Sequence, residues 1–125
     1  MRAGGLTRWV DDEELLDAVT AVSGSGPAYF FLLMEELEKV AVELGLDAES
    51  ARLLTIQTAL GAARMAMESS LDPKELRERV TSPGGTTESA LKVLMEGDFS
   101  NLIARAVRSA QARSQELSTL LATNP

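Results

Sequence analysis

The apolar run Ala28–Met34 constrains the fold of this chain more than any other stretch of its sequence. Seven consecutive residues carry no charge, and Gly26 and Pro27 just before them are typical of the start of a helix. A helix with such a run has no polar face, so it has to be buried on every side. Farther along, the apolar positions narrow to one stripe of Leu37, Val40, Ala41 and Leu44. We therefore predict a helix over about residues 26–45 that passes through a packed centre, which a second subunit can share.

The rest of the chain also has the composition and spacing of helices. Ala and Leu are abundant, whereas the aromatic residues are one Trp, one Tyr and three Phe. Small and unbranched apolar side chains favour helix. The predicted helices cover about residues 11–22, 26–45, 47–70, 73–80, 87–97 and 100–121. We predict an all-α helical bundle of six helices over residues 11–122, preceded by a linker remnant at residues 1–10.

Two of these helices carry features that indicate close packing. Gly61 lies inside the third helix, where it costs about 1 kcal/mol relative to alanine, so we expect a neighbouring helix to approach closely there. The last helix has apolar or small residues at alternating spacings of four and three, as in a coiled-coil seam. These residues are Ile103, Val107, Ala110, Ser114, Leu117 and Leu121. The partner of the seam is either another helix of this domain or a second chain.

The stretch Thr81–Thr87 is the strongest candidate for a binding site. Pro83 ends the helix before it, and Gly84 and Gly85 allow backbone angles closed to other residues. Either of the last two threonines can then cap the next helix. The loop would deliver free backbone N–H groups to a helix N-terminus, which attracts a carboxylate or a phosphate. No charged residue lies inside the loop, so backbone dipoles would hold the anion; the alternative is a turn and cap without a ligand.

The remaining composition excludes several classes of function. The net charge of −7 and the pI near 4.6 argue against nucleic acid or an anionic membrane as the main partner. There is no Cys and no His, which excludes disulfides, thiolate or imidazole metal sites and His-based triads. No apolar run approaches the roughly 18 residues of a membrane span. We expect a cytoplasmic protein without a metal.

Two motifs, in this order, resemble those of the pyrroline-5-carboxylate reductase family. The first is the stretch Ala18–Tyr29, with sequence AVTAVSGSGPAY, and the second is Thr81–Thr87, with sequence TSPGGTT. Gly61–Met65 and Leu94–Phe99 fit the family as well, and the resemblance extends over about residues 5–118. It covers the family's C-terminal domain only. The N-terminal Rossmann domain with its glycine-rich NAD(P) loop is missing from these 125 residues.

The resemblance implies a function and an assembly. The family reduces 1-pyrroline-5-carboxylate to L-proline in proline biosynthesis, with hydride from NAD(P)H. Its helical domain is implied to form an interleaved homodimer, of the type seen in the C-terminal domain of 6-phosphogluconate dehydrogenase, and to bind the substrate. A larger oligomer of dimers is also compatible. We expect no cofactor bound to this chain and no reductase activity from it alone.

The resemblance also assigns site residues to the loop. Ser82 would donate its hydroxyl to the substrate carboxylate, together with the backbone N–H groups of Gly85 and Thr86. Gly84 belongs to the same binding loop. Thr87 would hydrogen-bond the ring nitrogen and is the catalytic candidate. Thr86 stands where a small residue such as alanine is expected, so both threonines remain candidates for the contact with the ring nitrogen.

A second hypothesis needs no catalytic role. The chain would then be a free-standing helical oligomerisation module, and the loop would serve only as a turn and helix cap. The Gly24-Ser25-Gly26 segment does not favour a third hypothesis, because the dinucleotide-binding fingerprint requires a preceding strand and this segment separates two helices.

Overall fold

The computed structural model describes residues 13–123, and every regular element in this range is a helix. The α-helices are α1 Glu13–Val19, α2 Gly26–Glu43, α3 Ala48–Glu68, α4 Pro73–Arg79, α5 Thr86–Glu96 and α6 Phe99–Thr123. A π-helical turn, Thr20–Gly24, extends α1. The prediction of an all-α fold is confirmed, and residues 13–123 contain six α-helices. The predicted linker at residues 1–10 lies outside the described residues.

Local chemistry explains where α3 and α4 begin. The Asp47 carboxylate caps α3 by accepting hydrogen bonds from the Ser50 N–H and from the Ser50 hydroxyl, both at 2.9 Å. These bonds, the backbone one first, hold the pKa of the Asp47 carboxyl below its ordinary value. At α4, Asp72 and Glu75 form a capping box, with Pro73 in the first turn. Asp47 and Asp72 therefore begin α3 and α4 as N-cap residues.

The junction between α1 and α2 differs from the prediction. The two helices do not break cleanly before Gly26: Ser25 has a helical backbone, and its N–H donates to the Thr20 carbonyl oxygen at 2.9 Å, closing the wide π turn. Pro27 has no N–H to donate to the carbonyl four residues earlier, so an ordinary α-helix cannot continue here. The Tyr29 hydroxyl donates to the Ala21 carbonyl oxygen at 2.7 Å and ties α2 back to the π turn.

The chain divides into two compact units. The first contains the residues up to Tyr29 and those from Asp98 onward, so it holds α1, the π turn, the first turn of α2 and α6. In this unit α6 packs against α1 and the π turn. The Ser114 hydroxyl donates to the Asp17 carboxylate at 2.7 Å, and Asp17 is buried. Ser114 of the predicted seam therefore has a partner within the chain, whereas Ile103, Leu117 and Leu121 are 42%, 46% and 77% exposed.

The second unit, Phe30–Gly97, contains the rest of α2 with α3, α4 and α5. Ala51 and Thr55 are its buried residues among those described. Phe30 and Phe31, in contrast, are 63% and 64% exposed. The run that the sequence requires to be buried is thus not buried by this chain itself.

Gly61 does not meet the expected neighbour. A Cβ added at this position would have no atom within 4 Å among the described residues. The expectation of a close helix approach at Gly61 is therefore wrong for contacts within the chain. The glycine weakens α3 here without a visible compensation in packing.

Candidate functional site

The loop between α4 and α5 is anchored on the end of α4. The Thr81 hydroxyl donates to the Arg77 carbonyl oxygen at 2.5 Å, and the Thr81 N–H donates to the Glu78 carbonyl oxygen at 3.2 Å. Both bonds satisfy carbonyl groups that the last turn of a helix leaves without a partner. The entrance of the loop is therefore fixed by its own backbone and by one threonine.

A tight turn follows and explains the two glycines. The Gly85 N–H donates to the Ser82 carbonyl oxygen at 3.0 Å, with Pro83 and Gly84 between them. Gly84 has a φ of +72°, the left-handed conformation that the third residue of a type II turn requires. A Cβ on Gly85 would lie 3.2 Å from the Ser82 carbonyl oxygen, so a side chain fits poorly there.

The cap of α5 is not the one that the sequence indicates. Gly85 is the N-cap residue, in extended conformation and without a side-chain hydrogen bond, and Thr86 and Thr87 are the first two residues of the helix. The prediction that either threonine caps α5 is wrong, because the turn delivers Gly85 directly to the cap position. In place of a hydroxyl cap, the carboxylate of Glu88 folds back and accepts a hydrogen bond from the Gly84 N–H at 3.0 Å.

The first turn of α5 leaves several donors open. Its first helical hydrogen bond runs from the Ser89 N–H to the Gly85 carbonyl oxygen at 3.3 Å. The N–H groups of Thr86, Thr87 and Glu88 have no acceptor among the residues that the structure describes. These groups point along the positive end of the helix dipole, which suits a negatively charged ligand.

The hydroxyl groups predicted for the site lie on the same short loop. Ser82, Thr86 and Thr87 are exposed, and within residues 13–123 their side chains donate no hydrogen bond to the protein. Gly85 departs from its expected role, since its N–H already donates to Ser82. The loop thus offers three hydroxyls and three N–H groups in the space of seven residues.

Thr87 also lines a cavity that sequence reasoning missed. The cavity measures about 350 Å³ and lies between α3, α4 and α5. Its other lining residues include Met65, Leu76, Val80 and Leu91. Because these side chains come from α3, from α4 and its end, and from α5, only the folded arrangement brings them beside Thr87. Thr87 therefore lies between the polar loop and the apolar wall of the cavity.

Other kinds of site find little support in the described residues. No group of three or more Asp or Glu side chains there could hold a metal ion. Residues Gly24 and Gly26 lie at a π turn and at the start of α2, after a helix and not after a strand, so they do not fit a dinucleotide loop. Within the same range, no helix is long and apolar enough to cross a membrane.

Comparisons with known proteins place this loop in a family context. Residues 13–117 match the family model described as pyrroline-5-carboxylate reductase dimerisation. A pyrroline-5-carboxylate reductase of Pseudomonas aeruginosa is 54% identical over 121 residues, which make up 97% of this chain and 44% of that protein. The chain thus spans less than half the length of this relative.

Solved structures give the same picture. A pyrroline-5-carboxylate reductase from Coxiella burnetii matches with a TM-score of 0.84 and 52% identity, over 87% of this chain and 40% of that one. The Plasmodium falciparum pyrroline carboxylate reductase with NADP bound matches with a TM-score of 0.81 and 34% identity, over 84% of this chain and 40% of that one.

Proposed function

Since this chain belongs to the pyrroline-5-carboxylate reductase family, through the dimerisation domain, we propose that it forms the dimerisation and substrate-binding part of a proline-synthesising oxidoreductase. The reaction is the reduction of 1-pyrroline-5-carboxylate to L-proline with NAD(P)H. The observation that carries the proposal is the loop Thr81–Thr87, which presents free hydroxyl and N–H donors at the start of α5.

In this proposal the loop holds the substrate by its carboxylate. The Ser82 hydroxyl and the Thr86 N–H donate to the carboxylate oxygens, and the helix dipole favours the negative charge. Gly84 and Gly85 shape the turn. The Gly85 N–H already donates to Ser82, so it can reach the carboxylate only as a shared donor.

Thr87 is proposed to hydrogen-bond the ring nitrogen. Its side chain lines the apolar cavity, which suits the methylene groups of a small ring. Threonine is a poor acid, so its contribution is orientation of the imine and not supply of the proton. NAD(P)H supplies the hydride when it is bound to the complete enzyme, and no residue of this chain is proposed to bind it.

A homodimer is the assembly that we propose, with the interleaved arrangement as its finer detail. Large apolar side chains on α2 support this assembly, because residues 30–33 are between 51% and 64% exposed. Covering such a surface is strongly favourable, and a second copy carries the same surface. A larger oligomer of dimers would use other faces.

The substrate-binding proposal is tested by NMR titration of the 125-residue chain. L-Proline should shift the backbone amide signals of residues 81–88, whereas pyrrolidine, which lacks the carboxylate, should not. Thr87→Val should weaken the response to proline while the dimer is retained. Absence of any response at millimolar proline would contradict the proposal.

The oligomerisation module remains the second candidate, and the exposed apolar surface of α2 favours it. A dimer that binds no proline at millimolar concentration would support this candidate. The isolated chain should show no reductase activity under either proposal. NADPH oxidation that depends on the imine would contradict both.

A further inference from the structure

Glu88 makes an unusual contact for an acidic residue in the first turn of a helix. In a capping box, the Glu at the third helical position accepts a hydrogen bond from the N–H of the cap residue itself. Here Glu88 occupies the third position of α5, but its Oε1 accepts from Gly84, the residue before the cap, at 3.0 Å. The reason lies in the turn, because the N–H of the cap residue Gly85 is already donated to Ser82.

This contact sorts the donors of the loop into two groups. The N–H groups of Gly84 and Gly85 are held by the protein, the first by Glu88 and the second by Ser82. The N–H groups of Thr86 and Thr87 are left open within the described residues. An arriving carboxylate would otherwise find a further donor on Gly84, at the outer edge of the loop.

We propose that Glu88 is a positioning residue for the substrate carboxylate. By accepting the hydrogen bond from the Gly84 N–H, Glu88 fixes the left-handed conformation of Gly84. It thereby directs the substrate carboxylate to the inner N–H groups of Thr86 and Thr87. The inference rests on the proposed function, since it requires that the loop binds a carboxylate. The role belongs to the acceptor oxygen of Glu88 and not to its charge, because a negative charge beside a carboxylate site opposes binding.

Two substitutions separate the acceptor from the charge. Glu88→Ala removes both, and because the Gly84 N–H is then no longer held, we expect L-proline to bind about tenfold more weakly. Glu88→Gln keeps an acceptor oxygen on the same length of side chain and removes the charge. We expect this variant to bind L-proline at least as tightly as the wild type. Glu96→Gln, at the other end of α5, removes the same charge and serves as the matched control.

The readouts are the dissociation constant for L-proline, from NMR titration, and hydrogen exchange at the Gly84 amide without ligand. Exchange at Gly84 should be faster in Glu88→Ala than in the wild type and near the wild-type rate in Glu88→Gln. Circular dichroism and thermal melting check that each variant keeps its helices. A merely structural role would lower the melting temperature and speed exchange at Gly84 without weakening the binding of L-proline.

The results of these measurements separate a failure of the role of Glu88 from a failure of the proposed function. Equal proline affinity in Glu88→Ala and the wild type would overturn it and leave the proposed function standing. Failure of Glu88→Gln to restore affinity would also overturn it. A wild-type chain that binds no proline would overturn both the inference and the proposed function.

Discussion

Replacing Phe31 by alanine should dissociate the homodimer at concentrations where the wild-type chain is associated. Phe31 is 64% exposed in the single chain and borders an open groove with Met34 and Ile56. A phenylalanine side chain buries about 200 Å² when it is fully covered, so roughly 130 Å² of Phe31 remains for a partner to cover. At about 25 cal/mol per Å² that area contributes about 3 kcal/mol.

The expected loss is smaller than the full contribution, because alanine keeps part of the contact. We take it as about 2 kcal/mol per protomer. A two-fold symmetric dimer contains the change twice, so the dissociation free energy falls by about 4 kcal/mol. The dissociation constant should then rise by about three orders of magnitude.

Sedimentation equilibrium over a dilution series measures this constant, with circular dichroism to show that the helices persist. Lys39→Ala is the control, since Lys39 lies on the same helix, is largely exposed and makes only a surface ion pair with Glu36 at 3.8 Å. It should change the dissociation constant little. A Phe31→Ala chain whose dissociation constant stays within threefold of the wild type would refute the reasoning, because the exposed run would then not be the interface.

Substitutions at three further positions test the backbone and one helix cap. Gly84→Ala should lower the free energy of unfolding by about 1 kcal/mol, because a φ of +72° disfavours a side chain, and Gly84→Asn should lose less; urea unfolding measures both. Gly61→Ala should raise that free energy by up to about 1 kcal/mol in the same assay, since an added Cβ meets nothing within 4 Å in the described chain. Ser50→Ala should raise the pKa of Asp47 part of the way to its ordinary value, because one of the hydrogen bonds that lower it is removed, as NMR titration of the carboxyl would show. The Asp47 contribution to stability is present above its unfolded pKa and is lost as pH falls through its lower folded pKa, so wild type and Ser50→Ala should converge in strong acid.

The following results would contradict these expectations. A Gly61→Ala chain that is less stable and forms a weaker dimer would mean that a partner helix packs at that glycine. Equal stability of the alanine and asparagine variants at Gly84 would mean that the left-handed angle does not limit the loop. An unchanged Asp47 pKa in Ser50→Ala would place the whole effect on the backbone N–H of Ser50.

The number and order of the helices could be predicted because the residues that begin the helices contact residues close to them in the sequence. Asp47 and the Asp72-Pro73 pair begin helices through contacts with residues three positions away, and such contacts follow from sequence alone. The π turn could not be predicted in this way. Gly24 and Pro27 are compatible both with a clean break and with a widened turn, and the bond from Tyr29 to Ala21 that stabilises the turn spans eight residues.

The family was also within reach of the sequence, and the match over residues 13–117 confirms it. The hydrogen bonding of the loop was not. No charged residue lies within Thr81–Thr87. The carboxylate of Glu88, one position farther along the chain, nevertheless accepts a hydrogen bond from the Gly84 N–H. The cavity beside Thr87 was equally hidden, because its walls come from three helices, α3, α4 and α5, that only the folded chain brings together.

The loop and the helices around it depend on different forces. The loop is shaped by short-range bonds, namely the turn at Gly85, the anchor of Thr81 on Arg77 and the fold-back of Glu88, none of which needs a large core. The helices around it are different. Apolar residues make up 45% of the sequence, yet the buried hydrophobic residues among those described are Ala21 and Ala51. Since burial of apolar surface is the main force that stabilises a fold, most of that burial has to come from association. In the proposed homodimer, a site whose geometry is local is carried by a scaffold whose stability is shared between two copies.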